Sequence, residues 1–335
     1  MQVGEVRVAE DADFKRLNTL CDEKDGWKQE YNKNNTCVWT KNNDVSDCKI
    51  IKVRTLFTDV KAEVLYDVLH DPHYRKTWDM SMLEGYEICA LNPNNDIGYY
   101  AMKCPSPLKN RDFVTQRSWL DLGSEFYILN HSVNHASVPA RKGFIRGVSH
   151  VTGFLIRKQD TFTCQLNYVS HSDPKGKLPV WAVNKATQIL APKVINRIYK
   201  ACKNYEAWKS MNNPRMKPWL YPEQMSLPRL DMTQIKPASE FTSTESIDES
   251  SIQEDEINED DMSQRLLPIP TDTSQRFLLT PACMSERLLR TPMCMSQIRL
   301  PISTCTSQRF LPTPTCTSQR LFQLQLVRVK DFSQL

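Results

Sequence analysis

Glycine is scarce, nine in 335 residues, and the chain has no G-x-G-x-x-G, no P-loop, no G-x-S-x-G elbow and no H-E-x-x-H helix. Those absences remove the common local signatures of nucleotide binding, nucleophilic hydrolysis and zinc catalysis. The six histidines form no ligand set: His70 and His73 straddle Pro72, and His131 and His135 fall on a strand and its exit. No catalytic residue, metal or cofactor is expected, and the chain is read as a non-enzyme, although a site assembled from distant residues leaves no local trace. No stretch approaches eighteen consecutive apolar residues, and the opening MQVGEVRVAEDADF lacks the apolar run of a secretory signal, so a cytoplasmic protein is expected. The eleven cysteines include no C-x-x-C pair and are read as reduced, mostly buried thiols.

What is present is enough apolar residue, 40% against 24% charged, for a sizeable core. The net charge of +4 hides three regions: residues 1–239 carry 34 basic and 26 acidic side chains, 240–261 ten acidic and none basic, and 262–335 nine basic and three acidic. A mildly basic folded part suits an anionic surface. The acidic stretch offers too little apolar area to offset chain entropy and is expected to be disordered. Within and beside it Thr242, Ser246 and Ser251 each have an acid three residues on, the pattern of an acid-directed kinase; the alternative is a solvated linker. Beyond Ser263 an eleven-residue unit beginning SQR or a close variant repeats to residue 322. Proline interrupts five successive units, which argues against a helical supercoil and for a flexible tail. The expected layout is an extension at 1–10, a domain at 11–222, a disordered acidic linker at 223–262, repeats at 263–322 and a tail at 323–335.

The domain reads as α+β. A helix is expected near Asp11–Cys21, strands near Trp27–Tyr31, Cys37–Lys41 and Cys48–Phe57, and short helices near Lys61–Leu69 and Pro72–Asp79. Phe113, Thr115, Arg117 and Trp119 alternate against Val114, Gln116 and Ser118, and Phe162–Val169 alternates likewise, so these are antiparallel strands with two unlike faces. Runs at Gly98–Cys104, Phe126–Val133 and Gly143–Ile156 bring the count to about nine strands, enough for a curved sheet. A long helix, Val180–Trp208, follows with Val194, Ile195, Ile198, Cys202 and Tyr205 on one stripe and Lys193, Arg197, Lys200 and Lys203 on a second face, with Pro192 kinking or restarting it. A curved sheet with such a helix across its concave side is a grip with a hollow beneath.

Arg75 and Asp79, four apart beside Trp78, share a helix face. On a surface such a pair contributes only about 0.3 to 0.5 kcal/mol. Facing an apolar hollow, the same guanidinium is a fork matched to a phosphate, with the carboxylate holding its orientation.

The ordered segments LYDVLHDPHYRKTWD, DIGYYAMKCPSPLKNRDFVTQRSW and DPKGKLPVWAVNKATQILAPKVINRIYKACKNY resemble the START (steroidogenic acute regulatory protein related lipid transfer) family, in its phosphatidylcholine-transfer branch. The likeness runs from about Asp11 to Ser251 and stops at the repeats. It implies a helix-grip START fold, a curved antiparallel sheet of about nine strands gripping the C-terminal helix around a lipid tunnel, with that helix and the loop near Cys104–Arg111 as a lid. It places the phosphate-binding pair on Arg75 and Asp79. It places an aromatic headgroup cage on Tyr100, Phe113 and, in place of a third aromatic ring, His150. The implied ligands are phosphatidylcholine and, with a histidine in the cage, phosphatidylethanolamine.

The function expected on these grounds is binding and intermembrane transfer of one phospholipid at a time by a monomer that touches anionic membranes transiently. Lys193, Arg197, Lys200 and Lys203 are the expected docking stripe, at roughly 1 kcal/mol per charge near the surface. Phosphorylation at Ser246 or Ser251 would strengthen the tail's competition for that stripe. The rival reading is a lipid-gated adaptor that delivers nothing. Nucleic acid is not an expected partner, because the aromatics alternate with apolar residues instead of forming stacking platforms with Lys and Arg.

Overall fold

The computed structural model describes residues 1–46, 48–176, 178–179, 191–237 and 248–253. The chain divides into two units, Met1–Pro270 and Thr271–Leu335, and only the first contains described residues. Thr242, Ser246, the eleven-residue repeats and positions 180–190 of the expected long helix lie outside the described residues.

Helix α1 (Asp11–Asp22) starts where Asp13 accepts the Glu10 amide at 2.9 Å, and its first-turn acids Asp11 and Asp13 suit the positive end of a helix. Strands β1 (Lys28–Lys33), β2 (Thr36–Lys41) and β3 (Ile50–Phe57) follow as a meander. Helices α2 (Ala62–His70) and α3 (Pro72–Trp78) are separated by Asp71, whose carboxylate accepts the His73 and Tyr74 amides at 3.1 and 3.0 Å. An aspartate N-cap followed by proline in the first turn forces a new helix to begin there. Then come β4 (Met82–Asn92), β5 (Asn95–Met102), β6 (Asn110–Asp121), β7 (Glu125–Ser132), the short β8 (Asn134–His135) and β9 (Phe144–Arg146), β10 (Val148–Lys158), β11 (Cys164–Asp173), helix α4 (Ala191–Met211) and the short β12 (Ile235–Lys236).

Nine strands form a continuous antiparallel sheet in the order β1-β2-β3-β11-β10-β7-β6-β5-β4, and β9 pairs in parallel with β6. Period-two alternation gives this sheet two different faces. On the outer face Leu155, Val169, Tyr127 and Leu129 meet Phe14 and Leu17 of α1, while Ile97, Tyr99 and Val114 lie under Val6, Leu230 and Ile235. On the inner face Trp119, Phe126, Ile128, Ile156 and Leu166 pack with α2, α3 and the Ile195, Ile198, Cys202 and Tyr205 stripe of α4.

Three differences from the sequence reading have physical causes. Strand β4 was not anticipated, because three register irregularities against β5 break its alternation. The expected strand Gly143–Ile156 is two strands parted at Gly147, whose amide donates to the Asp112 carbonyl at 2.9 Å. Residues 1–10 and 223–237, set apart from the domain in the sequence reading, are hydrogen-bonded to the sheet. The Gly4 amide donates to the Ser132 carbonyl at 2.8 Å, the Ala9 amide to Asn95 Oδ1 at 3.1 Å, and the Leu230 amide to the Ala90 carbonyl at 2.9 Å. Those flanks cover apolar outer-face residues that α1 is too short to reach.

Candidate functional site

Helix α3 presents Arg75 one turn before its end, and Asp79 caps the end with a non-helical backbone. Arg75 Nε donates to Asp79 Oδ2 at 3.1 Å, and the Tyr100 hydroxyl, from β5, donates to the same oxygen at 3.1 Å. The guanidinium carbon lies 5.6 Å from the Tyr100 ring centre and 5.4 Å from that of Trp78, within cation-π range. Burial, reinforced by the Asp79 charge, pushes the Tyr100 phenol far above its usual range, so it stays protonated and serves as a donor. Asp79 engages Arg75 through Nε alone, and among the described residues no carboxylate reaches the terminal guanidinium nitrogens.

These groups face an incompletely filled space. On β5, β6, β10 and β11 the outward residues Tyr99, Ala101, Val114, Gln116, Leu155, Asn167 and Val169 are buried; of the inward residues Trp119, Ile156 and Leu166 are buried too, whereas Tyr100, Phe113, Thr115, Arg117, Phe154 and Tyr168 keep accessible surface. A packed core shows no such imbalance, since its inward side is the more buried one. The inner row carries its own chemistry. Arg117 Nε donates to Asp96 Oδ1 at 3.1 Å, Glu87 lies 3.5 Å from Arg117 Nη2, and the guanidinium rests 5.2 Å from the Trp119 ring. Thr152, Ser170 and Ser172 form a ladder of hydroxyls 3.1 to 3.3 Å apart, joined to Ser149 at 2.9 Å.

The expected site residues separate into groups. Arg75, Asp79 and Tyr100 meet directly. Phe113 stands opposite Tyr100 across the β5–β6 ladder, on the same face. Its ring lies against Gly147, where a Cβ would come within 2.3 Å of it. His150 is not with them. It is the extra residue of a bulge between Ser149 and Val151, which turns it to the α1 side, where it stacks on His171 at 4.4 Å beside Arg16 and Leu17. A histidine in the cage is therefore corrected: the bulge inverts the alternation on which that placement depended.

On α4, Lys193, Arg197 and Lys200 follow one another at spacings of four and three, but Lys203 turns aside to Asp59, 2.9 Å away and next to the Tyr199 hydroxyl. Ser251 is exposed. Among the described residues, no helix is long and apolar enough to cross a membrane. Seven cysteines there are free thiols, four of them buried.

Gly147→Ala is expected to displace the Phe113 ring and loosen the contact between β9 and β6, at a cost of about 1 to 3 kcal/mol. Urea unfolding reads this, and a wild-type midpoint would mean that Phe113 moves aside freely.

The sequence did not reveal what holds α3 in place. Asp71 accepts from Lys209 Nζ at 2.8 Å and from the Tyr205 hydroxyl at 3.2 Å, and the Tyr74 hydroxyl donates to the Ala201 carbonyl at 2.8 Å. The Asp71-Pro72 pair was a legible cap signal; its partners on α4, over a hundred positions away, were not. Arg117 could have been found, because it shares the alternating face of Phe113 and Trp119.

Comparison with known proteins identifies the family and agrees with the fold. START domain-containing protein 10 of Mus musculus is 44% identical over 246 residues, 73% of this chain and 84% of that protein. Phosphatidylcholine transfer protein of Bos taurus is 32% identical over 161 residues, 46% of this chain and 74% of that protein. The crystal structure of human STARD10 superimposes with a TM-score of 0.66 at 44% identity, covering 69% of this chain and 95% of that one. Residues 7–208 match the START domain, more than half of the sequence, and on that match and those identities the chain belongs to the START domain family.

Proposed function

We propose that this START domain binds one phospholipid at a time in the hollow between sheet and helices and moves it between membranes. The observation that carries the reading is the Arg75, Asp79 and Tyr100 cluster on the inner face, with guanidinium nitrogens left over for a phosphodiester. In this reading Arg75 binds the phosphate, Asp79 and Tyr100 hold its orientation, and the rings of Tyr100 and Phe113 face the choline. The Thr152, Ser170 and Ser172 hydroxyls offer acceptors to the ammonium of phosphatidylethanolamine, which favours two headgroups over one. START domain-containing protein 10 and phosphatidylcholine transfer protein, whose name states its cargo, support this assignment.

Magnitude explains why the lipid must be enclosed. Each methylene withdrawn from water contributes about 0.8 kcal/mol, so exposing two acyl chains costs on the order of 20 kcal/mol or more. A carrier that hides both chains and opens only at a bilayer avoids that barrier. Lys193, Arg197 and Lys200 would meet the anionic surface; Lys203, offset by Asp59, would contribute less. Ser251 is an accessible position for an acid-directed kinase.

Arg75→Ala tests the proposal. A charged hydrogen-bonding partner is worth about 1.5 to 3 kcal/mol, so affinity for phosphatidylcholine should fall roughly 10- to 150-fold. Transfer of labelled phosphatidylcholine between vesicles should drop with it, while far-ultraviolet circular dichroism stays unchanged. Unaltered binding and transfer by a folded variant would end the assignment.

A further inference from the structure

One part of the acidic stretch returns to the domain. Glu249 is buried, 4% exposed, in a segment whose polar neighbours Asp248, Ser250, Ser251 and Gln253 are exposed. One carboxylate oxygen accepts the Lys109 amide at 2.8 Å, and the other pairs with Arg111 Nη2. Arg111 is itself 2% exposed. Its remaining donors reach the carbonyls of Lys109 at 2.6 Å, Pro174 at 3.2 Å and Lys175 at 3.1 Å. A buried guanidinium requires a counter-charge, and among the described residues Glu249 is the carboxylate that pairs with it.

The place matters. Arg111 precedes Phe113 by two on β6 and lies in the same inward row. Lys109 belongs to the loop that joins Tyr100's strand to Phe113's, and Pro174 and Lys175 directly follow the Ser170 and Ser172 row of β11. Through the Lys109 amide and Arg111, Glu249 thus joins, at one end of the hollow, the loop 103–109 to the residues that follow β11.

We propose that Asp248–Gln253 is an intramolecular strap, in which Glu249, seated on Arg111 and the Lys109 amide, fastens the loop 103–109 across one end of the lipid hollow and restrains lipid exchange. The occupant is this chain's own segment. It is attached through residues 238–247 to Pro237, whose carbonyl accepts from Asn134 at 3.1 Å. Release and return are therefore intramolecular, at an effective concentration on the order of millimolar, so the Arg111 and Lys109 contacts together need only about millimolar strength to keep the strap seated half of the time. Only the effect on exchange rests on the phospholipid-transfer reading; the seat itself does not.

The test uses the full chain carrying Glu249→Gln, which keeps the size and removes the charge, with Glu254→Gln as a control that changes net charge equally. Hydrogen exchange at the Lys109 amide should become about tenfold faster in Glu249→Gln and remain at the wild-type rate in Glu254→Gln. Vesicle-to-vesicle transfer of labelled phosphatidylcholine should rise about threefold or more in the first variant only. Glu249→Asp, which keeps Arg111 compensated but cannot span both donors, should fall between. Unchanged Lys109 exchange, or equal changes in both glutamine variants, overturns the seat. Faster exchange at Lys109 with unaltered transfer overturns the restraint. Absence of transfer in the wild type as well as the variants overturns the phospholipid reading, while Lys109 exchange still reports on the seat.

Discussion

Replacing Lys209 by methionine is expected to lower the unfolding free energy by about 3 to 5 kcal/mol, the cost of leaving a buried carboxylate without its cation. The side chains of Lys209 and Asp71 are 9% and 1% exposed and their charged atoms lie 2.8 Å apart, so solvent cannot take the place of the missing ammonium. For a domain of this size that loss corresponds to a fall in Tm of roughly 6 to 20 °C. The effect should reach the site, because Asp71 caps α3, and α3 carries Arg75 and leads into Asp79. Asp71→Asn combined with Lys209→Met should cost less than the sum of the two single changes, since the double variant contains no unpaired buried charge. Thermal melts of the three variants decide it. A Lys209→Met protein that melts with the wild type would mean that the Tyr205 hydroxyl and the two α3 amides satisfy Asp71 unaided.

The parts of the fold legible in the sequence were those that local physics dictates. The alternation of Phe113 to Trp119 marks β6 and its two faces, and the three-four spacing of Ile195, Ile198, Cys202 and Tyr205 marks the face α4 buries. Arg75 and Asp79 were legible as a pair because four residues make one helical turn, and the resemblance added Tyr100 and Phe113. What escaped depends on a change of register or on distance along the chain. The bulges of β4 hide its periodicity, and the bulge at His150 moves one residue to the wrong face, where period-two counting cannot follow. Glu249 looked like one more solvated acid among ten. Nothing local distinguishes it from Asp248 or Glu254, and its partner lies 138 residues upstream.

Acid should destabilise the domain well before its carboxylates titrate. His70, His131, His135 and His171 are all buried, and burial is the largest influence lowering the pKa of each; His171, pressed against His150, falls to about 4. His70 also feels the positive charges of Arg117 and Arg75, and its Nε2 has no hydrogen-bond partner among Tyr66, Trp119 and Trp219. Above the unfolded-state pKa of about 6.5 both states hold these imidazoles neutral and no penalty exists. As pH falls below that value the unfolded chain takes up protons that the folded chain refuses, and stability declines until each folded pKa is reached. One pH unit below the unfolded value the ceiling is about 1.4 kcal/mol per histidine, so at pH 5.5 the four together should remove on the order of 2 to 5 kcal/mol. Asp67 and Asp96, pushed upward from 3.8 by burial, take protons in the folded state and temper the decline toward the acid end. Urea unfolding at pH 7.5 and pH 5.5 measures the difference, and His70→Phe, which keeps a ring in the aromatic nest and removes one titrating group, should shrink it by up to about 1.4 kcal/mol. Equal stability at the two pH values would mean that the folded protein admits protons to these rings, and with them water to a core that the side-chain contacts make dry.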